Sequence, residues 1–439
     1  MYKSGHNTYC KMSFENLNLI EPIRQALVNK GYTVPTPIQL KSIPIILEGK
    51  DILGCAQTGT GKTAAFALPI LQLLHAKQNH NVRQRTDSPG LGGIKALILA
   101  PTRELAIQID DSFKNYGKGL NICHTVIFGG VSQGSQTNAL KRGVDVVIAT
   151  PGRLLDLMNQ GFVKLNTVEF FVLDEVDRML DMGFINDIKK IIAKLPTKRQ
   201  TIFFSATVPD EIKKFANTLL HNPVAVSVAP ISAPAEAVEQ FVYYVEKKDK
   251  KALLQKLLQT ENIEHALVFT RTKHGADKVV KDLNRSGFRA EAIHGNKSQT
   301  ARQRALEGFK NRTIRLLVAT DIASRGIDVD KLTHVINFDL PEVAETYVHR
   351  IGRTGRKGDA GTAFTFCSPE EKPYLKDINK LLKFNITVAA TPELPVSKDT
   401  GSEKDFSHTQ RTSFAHKKPR QNSSQPSRTS QFKRRRIYS

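Results

Sequence analysis

At 439 residues the chain is too long for a single hydrophobic core and suits two or three domains. Hydrophobic residues make up 40% of it, yet no uninterrupted apolar run approaches the roughly 20 residues that span a bilayer, Met1-Tyr-Lys-Ser-Gly-His6 lacks the apolar stretch of a secretory signal, and Cys10, Cys55, Cys123 and Cys367 are scattered without metal or disulfide spacing. These features point to a reducing cytoplasm, and the net charge of +22 favours a polyanionic partner over an anionic membrane, since no basic amphipathic helix accompanies it.

In chain order, 1–11 reads as a short N-terminal extension and 12–226 as a first domain. Its strand candidates are the apolar runs Asp51–Cys55, Lys95–Ala100, Val144–Ala149, Phe170–Asp174 and Thr201–Ser205. Continuous apolar runs of this length suit parallel strands covered by helices on both faces. His75 to Gly93, rich in Asn, Ser and Gly, reads as a polar surface loop. The stretch 227–237, with Pro230 and Pro234 among small residues, reads as a linker. A second domain is expected over 238–385, with strand candidates Phe241–Val245, Ala266–Thr270, Arg315–Thr320 and His334–Phe338. The alternation of strand and helix patterns predicts α/β architecture: two tandem doubly wound parallel sheets. Beyond, 386–439 reads as a disordered basic tail. From Val396 it holds eleven Lys and Arg against three carboxylates, a net +8 that leaves the rest of the chain basic in its own right. Its Lys433-Arg-Arg-Arg436 end suits a non-specific RNA tether, the alternatives being a solubilising or partner-binding extension.

Between one strand candidate and a helix-like run lies Ala56-Gln57-Thr58-Gly59-Thr60-Gly61-Lys62-Thr63. A glycine-rich turn ending in Gly-Lys-Thr at a helix N-terminus is built to hold a nucleotide triphosphate: backbone N–H groups point into the loop and the helix dipole adds positive charge. Lys62 would meet the β- and γ-phosphates and the Thr63 hydroxyl would ligate Mg²⁺. Ala56 stands where the general template has Gly, and the bland alternative is a turn capping an ordinary helix. Downstream, Val172-Leu-Asp-Glu-Val-Asp177 ends a strand in carboxylates, so Asp174 is the candidate Mg²⁺ ligand and Glu175 the group that orients or deprotonates attacking water.

From about Phe14 to Phe384 the chain resembles the DEAD-box RNA helicases of superfamily 2, nearest their bacterial RhlE-type branch. The resemblance rests on Gly31–Gln39, Ala56–Thr63, Pro101–Leu105, Gly129-Gly130, Thr150–Arg153, Asp174–Asp177, Ser205–Thr207, Val268–Lys273, His294-Gly295 with Gln299–Arg302, Ala319–Asp328 and His349–Arg356, in family order. One departure is Val176, where the family usually has Ala. The β-branched residue suits a strand end, and its extra methyls are expected to alter coupling without abolishing activity. The resemblance implies that Gln39 reads the adenine edge and Phe14 stacks on the base, although Phe14 also suits a hydrophobic staple and Gln39 a first-turn helix residue. It implies that Arg353 and Arg356 reach the γ-phosphate from the second domain, in a Gly-broken loop shared with Arg350, and that Asp328 bonds the ribose. Ser205 and Thr207 would link Asp177 and His349. RNA phosphates would meet Thr102, Arg103, Gly130, Thr150 and Arg153 on one domain, and Arg271, Gly295, Gln299, Arg302 and Thr320 on the other.

The function so implied is an RNA-dependent ATPase that locally unwinds duplexes or remodels RNA–protein complexes by ATP-driven closure of two tandem RecA-like doubly wound domains, with ATP and Mg²⁺ as cofactors and a monomer as the acting form. The alternatives are an ATP-gated RNA clamp within a larger assembly and a DNA translocase. Ribosome assembly, cold adaptation and mRNA decay all fit, with no choice among them.

Overall fold

The computed structural model describes residues 13–57, 59–80, 93–228, 238–324, 332–355 and 361–394. Two seven-stranded parallel sheets organise them. The first contains β1 (Ile52–Cys55), β2 (Ala96–Leu99), β3 (His124–Ile127), β4 (Val146–Ala149), β5 (Phe170–Leu173), β6 (Gln200–Ser205) and β7 (Val224–Ser227), in the order β3-β4-β2-β5-β6-β1-β7. The second contains β8 (Val238–Tyr244), β9 (Ala266–Phe269), β10 (Ala290–Ile293), β11 (Leu316–Ala319), β12 (His334–Asn337), β13 (Gly361–Cys367) and β14 (Thr387–Val388), in the order β10-β11-β9-β12-β13-β8-β14. Counted from the first strand of each, the two orders are the same. The fold is therefore the expected pair of doubly wound α/β lobes.

The apolar runs explain the layers. Every residue of β2, β4, β5 and β6 is buried. Alternate residues of β2 enter different cores: Ala96 and Ile98 pack with Phe66, Ile109 and Phe204 on one face, Leu97 and Leu99 with Phe171, Met179 and Phe203 on the other. The second sheet repeats this, with Ala266 and Val268 on one face and Leu267 and Phe269 on the other. Each Leu, Ile, Val or Phe among them, taken fully out of water, contributes about 1.5–3 kcal/mol, so helices are needed on both faces.

Several expectations need correction. The helix Lys62–His80 runs six residues, His75 to His80, into the segment read as a loop, because Ala76, Lys77 and Gln78 are good helix formers on a partly exposed face. The first sheet reaches Ser227, and the second ends with β14 at Val388, past the boundary expected at 385; an exposed two-residue edge strand leaves no apolar run to read. Val176 opens the helix Val176–Asp181 instead of ending a strand, and its side chain is wholly buried beside Phe203 and Met179. Residues 229–237 of the expected linker and the basic tail from Pro395 onward lie outside the described residues.

Candidate functional site

The shared strand order divides each sheet's carboxyl edge into two halves. In the first lobe, loops after β1, β5 and β6 carry Ala56–Thr63, Asp174–Asp177 and Ser205–Thr207 side by side, because β5, β6 and β1 are hydrogen-bonded neighbours. Loops after β3, β4 and β2 carry Gly130, Thr150 and Thr102-Arg103 on the other half. In the second lobe the counterparts of those three strands, β10, β11 and β9, end at Gly295, Thr320 and Arg271.

In the phosphate-turn candidate, Gly59 and Gly61 take φ of 82° and 91°, the left-handed region that glycine adopts without strain. A Cβ on Gly61 would collide with Gln39 Nε2. Thr60 Oγ1 donates to Gln57 O at 2.7 Å and tightens the turn, while Ala56 is buried and Thr58 lies outside the described residues. Lys62 is 5% exposed, and its Nζ lies 3.9 Å from Asp174 Oδ1. Neither atom has a hydrogen-bond partner in the protein. Burial pushes the Asp174 carboxyl up to about 6; Lys62 pulls it down and Glu175 pushes it up. Thr63, half-buried, follows in the first turn of the helix.

Glu175 is held in a left-handed conformation (φ 54°, ψ 52°), costly for a residue with a Cβ, and its Oε2 accepts from Arg178 Nη1 at 2.9 Å. Asp177 gathers the turn after β6: its Oδ2 accepts from the N–H groups of Ala206 and Thr207 at 3.2 Å each and from Thr207 Oγ1 at 3.4 Å. The Asp177 N–H donates to Ser205 Oγ at 3.4 Å, and Ser205 Oγ donates to Thr207 O at 2.6 Å. Ser205, Thr207 and Asp177 are thus brought together as expected; His349 sits in the second lobe on the helix Ala344–Ile351.

Gln39 and Phe14 are placed differently from the base-reading expectation. Gln39 is 4% exposed in the first turn of the helix Pro37–Leu47, where its Oε1 accepts from Thr36 N and its Nε2 donates to Gly61 O at 3.1 Å. Both ends of the amide are therefore spent on backbone, bracing the phosphate turn. Phe14, 6% exposed, packs into the first lobe's core, so packing is its role in this structure. In the second lobe, Arg353 is 6% exposed just beyond the helix end at Gly352. Arg350 belongs to the helix and not to a loop: it makes two bonds to Asp321, at 2.6 and 2.7 Å, with its guanidinium 4.9 Å from the Phe269 ring centroid. Its compensating anion is thus internal. Asp328 and Arg356 lie outside the described residues.

The RNA-side candidates meet across the lobes. Arg103 Nη1 donates to Gln299 Oε1 at 3.5 Å. Glu104, 4% exposed, accepts from Gln299 Nε2 at 3.0 Å and pairs with Arg302 Nη2 at 2.9 Å. Sequence reasoning missed Glu104 as a ligand for these residues although it stands inside Pro101–Leu105; it likewise missed Arg178, one helical turn from Glu175. Burial, then the neighbouring Arg302, lowers the proton affinity of Arg103, whose guanidinium also approaches Gly130 closely. Arg153 Nη1 and Arg302 Nε are buried donors with no acceptor. Thr102 and Thr150 cap the helices Arg103–Tyr116 and Pro151–Asn159. Gly295 and Thr320 are open at their strand ends, whereas Arg271 is engaged by Glu371 at 3.0 Å and stacks on Tyr374.

Comparison with known proteins agrees with this geometry. Residues 36–215 match the DEAD/DEAH box helicase family, and residues 249–358 match the helicase conserved C-terminal domain. The DEAD-box ATP-dependent RNA helicase CshA of Bacillus subtilis is 41% identical over 383 residues, 87% of this chain and 75% of that protein. The RNA helicase CrhR of Synechocystis is 43% identical over 381 residues, again 87% and 75%. S. cerevisiae Dbp5 bound to RNA and ADP BeF3 matches with a TM-score of 0.73 at 29% identity, covering 86% of this chain and 96% of that one. Mss116p bound to ssRNA and AMP-PNP matches at 0.74 and 26%, covering 90% and 82%. The chain belongs to the DEAD-box ATP-dependent RNA helicases.

Proposed function

We propose that the protein hydrolyses ATP in response to RNA and uses the cycle to open short duplexes or remodel RNA–protein complexes. The observation that carries this reading is the buried pair Lys62 Nζ and Asp174 Oδ1, 3.9 Å apart and neither with a hydrogen bond, beside a glycine turn at a helix N-terminus. Burying two such atoms without hydrogen bonds costs several kcal/mol unless a ligand supplies them. A polyphosphate with a divalent cation fits both: Lys62 would bind the anion, while Thr63 and Asp174 would hold Mg²⁺, which supplies charge neutralisation at the transferring phosphoryl group. Glu175, fixed by Arg178 and a strained backbone, orients water. Asp177 passes the state of the site to the turn after β6 through its bonds to Thr207 and Ser205. Arg353 and Arg356 would complete the site from the second lobe, Asp328 would take the ribose, and His349 would face the Ser205–Thr207 turn.

The RNA side follows from the other half of the edge. Helix starts at Thr102 and Thr150, the open Gly295 and the acceptor-less donors Arg153 Nη1 and Arg302 Nε suit phosphate oxygens and carry no base information. ATP and RNA binding are coupled because each needs both lobes. Lys62→Ala is expected to lower RNA-stimulated ATP turnover by at least a hundredfold with unchanged circular dichroism; near-normal phosphate release would refute the assignment. Among the described residues no helix is long and apolar enough to cross a membrane. The monomer and a cytoplasmic setting belong to this proposal too.

A further inference from the structure

The helix Lys372–Leu382 follows β13 in the second lobe and carries Lys372, Lys376 and Lys380 one turn apart, with Lys383 at its C-cap. Four residues of helix rise about 6 Å, so the three ammonium groups form an evenly spaced row. With Tyr244 and Phe384 they line an open pocket of about 450 Å³. No ion pair engages any of the four lysines among the described residues, and the helix's one acid, Asp377, stands out of the row. Both rings are left in water, Tyr244 at 44% and Phe384 at 41% exposure, and Lys372 Nζ lies 5.8 Å from the Tyr244 centroid. A merely solubilising lysine face has no use for exposed aromatics, and a row of uncompensated cations repels itself until an anion arrives.

We propose that this groove is a second binding site for single-stranded RNA, taking the segment of strand that extends beyond the cleft. The lysines would track successive phosphates, and Tyr244 and Phe384 would stack bases, the combination of basic groove and aromatic platforms that holds single strands without reading sequence. Position favours RNA over an acidic peptide. Arg271, on the RNA half of the lobe, pairs with Glu371 at 3.0 Å and lies 5.6 Å from the Tyr374 centroid, so it is anchored to the first turn of the lysine-bearing helix. Two flat rings among evenly spaced cations match a repeat of phosphate and base, which a run of carboxylates lacks.

This inference rests on the RNA reading above, and its test separates the two. Full-length protein would be titrated with a short oligouridine that fills the cleft alone and with one several times longer. Tyr244→Ala/Phe384→Ala is expected to leave short-oligomer affinity and the ATPase it stimulates unchanged and to weaken the long oligomer about tenfold or more. Lys376→Ala/Lys380→Ala should do the same and lower the salt slope for the long oligomer by about 1.4, two phosphates at about 0.7 each. Equal loss on both lengths, or loss on neither, overturns the proposal. Polyglutamate that binds wild type but not the lysine variant, with long-oligomer affinity untouched, overturns it in favour of a protein partner. Failure of the unaltered protein to bind the short oligomer would bring down the RNA reading itself.

Discussion

Asp174 shows how much a single buried carboxyl reveals. Its folded-state pKa stands near 6, above its ordinary 3.8, so the folded protein holds the proton more tightly than the unfolded chain does. That contribution to stability is complete below the ordinary value and is lost as pH rises to about 6. Melting curves of the unliganded protein between about pH 4 and pH 7 should therefore show a decline in wild type that Asp174→Asn lacks. Superimposable pH profiles would mean that Asp174 is not desolvated. The charged form is the one that can hold a cation, so nucleotide–Mg²⁺ affinity should weaken as the pH falls below about 6. At this scale the site was partly legible. Lys62, Asp174 and Glu175 announced themselves because a phosphate turn and a carboxylate pair are local in sequence. The seats of Gln39 and Phe14 in the folded chain were not legible, because whether an amide reaches a backbone carbonyl depends on residues 22 positions away, such as Gly61.

Whole elements were readable where burial is complete on both faces. The runs at β2, β4, β5, β9 and β11 are continuous and apolar, and they were found. The strands missed are those whose environment is mixed: β3 is mostly half-exposed, β10 carries an exposed Glu291, and β7 is an edge strand. β13 is central, but its run is broken by Thr365, which is fully buried yet satisfied by Asn337 Nδ2 at 3.2 Å. Polar residues that find partners only in three dimensions mislead any pattern of apolar runs. The same applies between elements. Glu104, on the helix after β2, is shared by Gln299 and Arg302 on a helix almost 200 residues away. Glu104→Ala would leave Arg302 without its carboxylate at a cost on the order of 1–3 kcal/mol, limited because an opened cleft rehydrates it. Fluorescence energy transfer between labels on the two lobes should then report a larger mean separation in the absence of RNA. An unchanged distance distribution would show that Glu104 does not hold the lobes together.

Across the whole molecule, architecture was the most legible level, because strand–helix alternation and a proline-bearing break between two similar series leave few alternatives to tandem parallel sheets. Not legible was that both sheets thread their strands in the same order, since that depends on pairings as distant as Ile52 with Val224. This repetition bears on stoichiometry. β8 occupies in the second sheet the seat that β1 holds in the first, yet it is followed by Val245-Glu-Lys-Lys-Asp249, with no glycine to bare the backbone and no Gly-Lys-Thr. The molecule thus has two equivalent seats and the furniture for phosphates in one. Equilibrium dialysis with labelled nucleotide should saturate at one equivalent per chain, and a second equivalent would mean that the copy has kept a trade its loop no longer advertises.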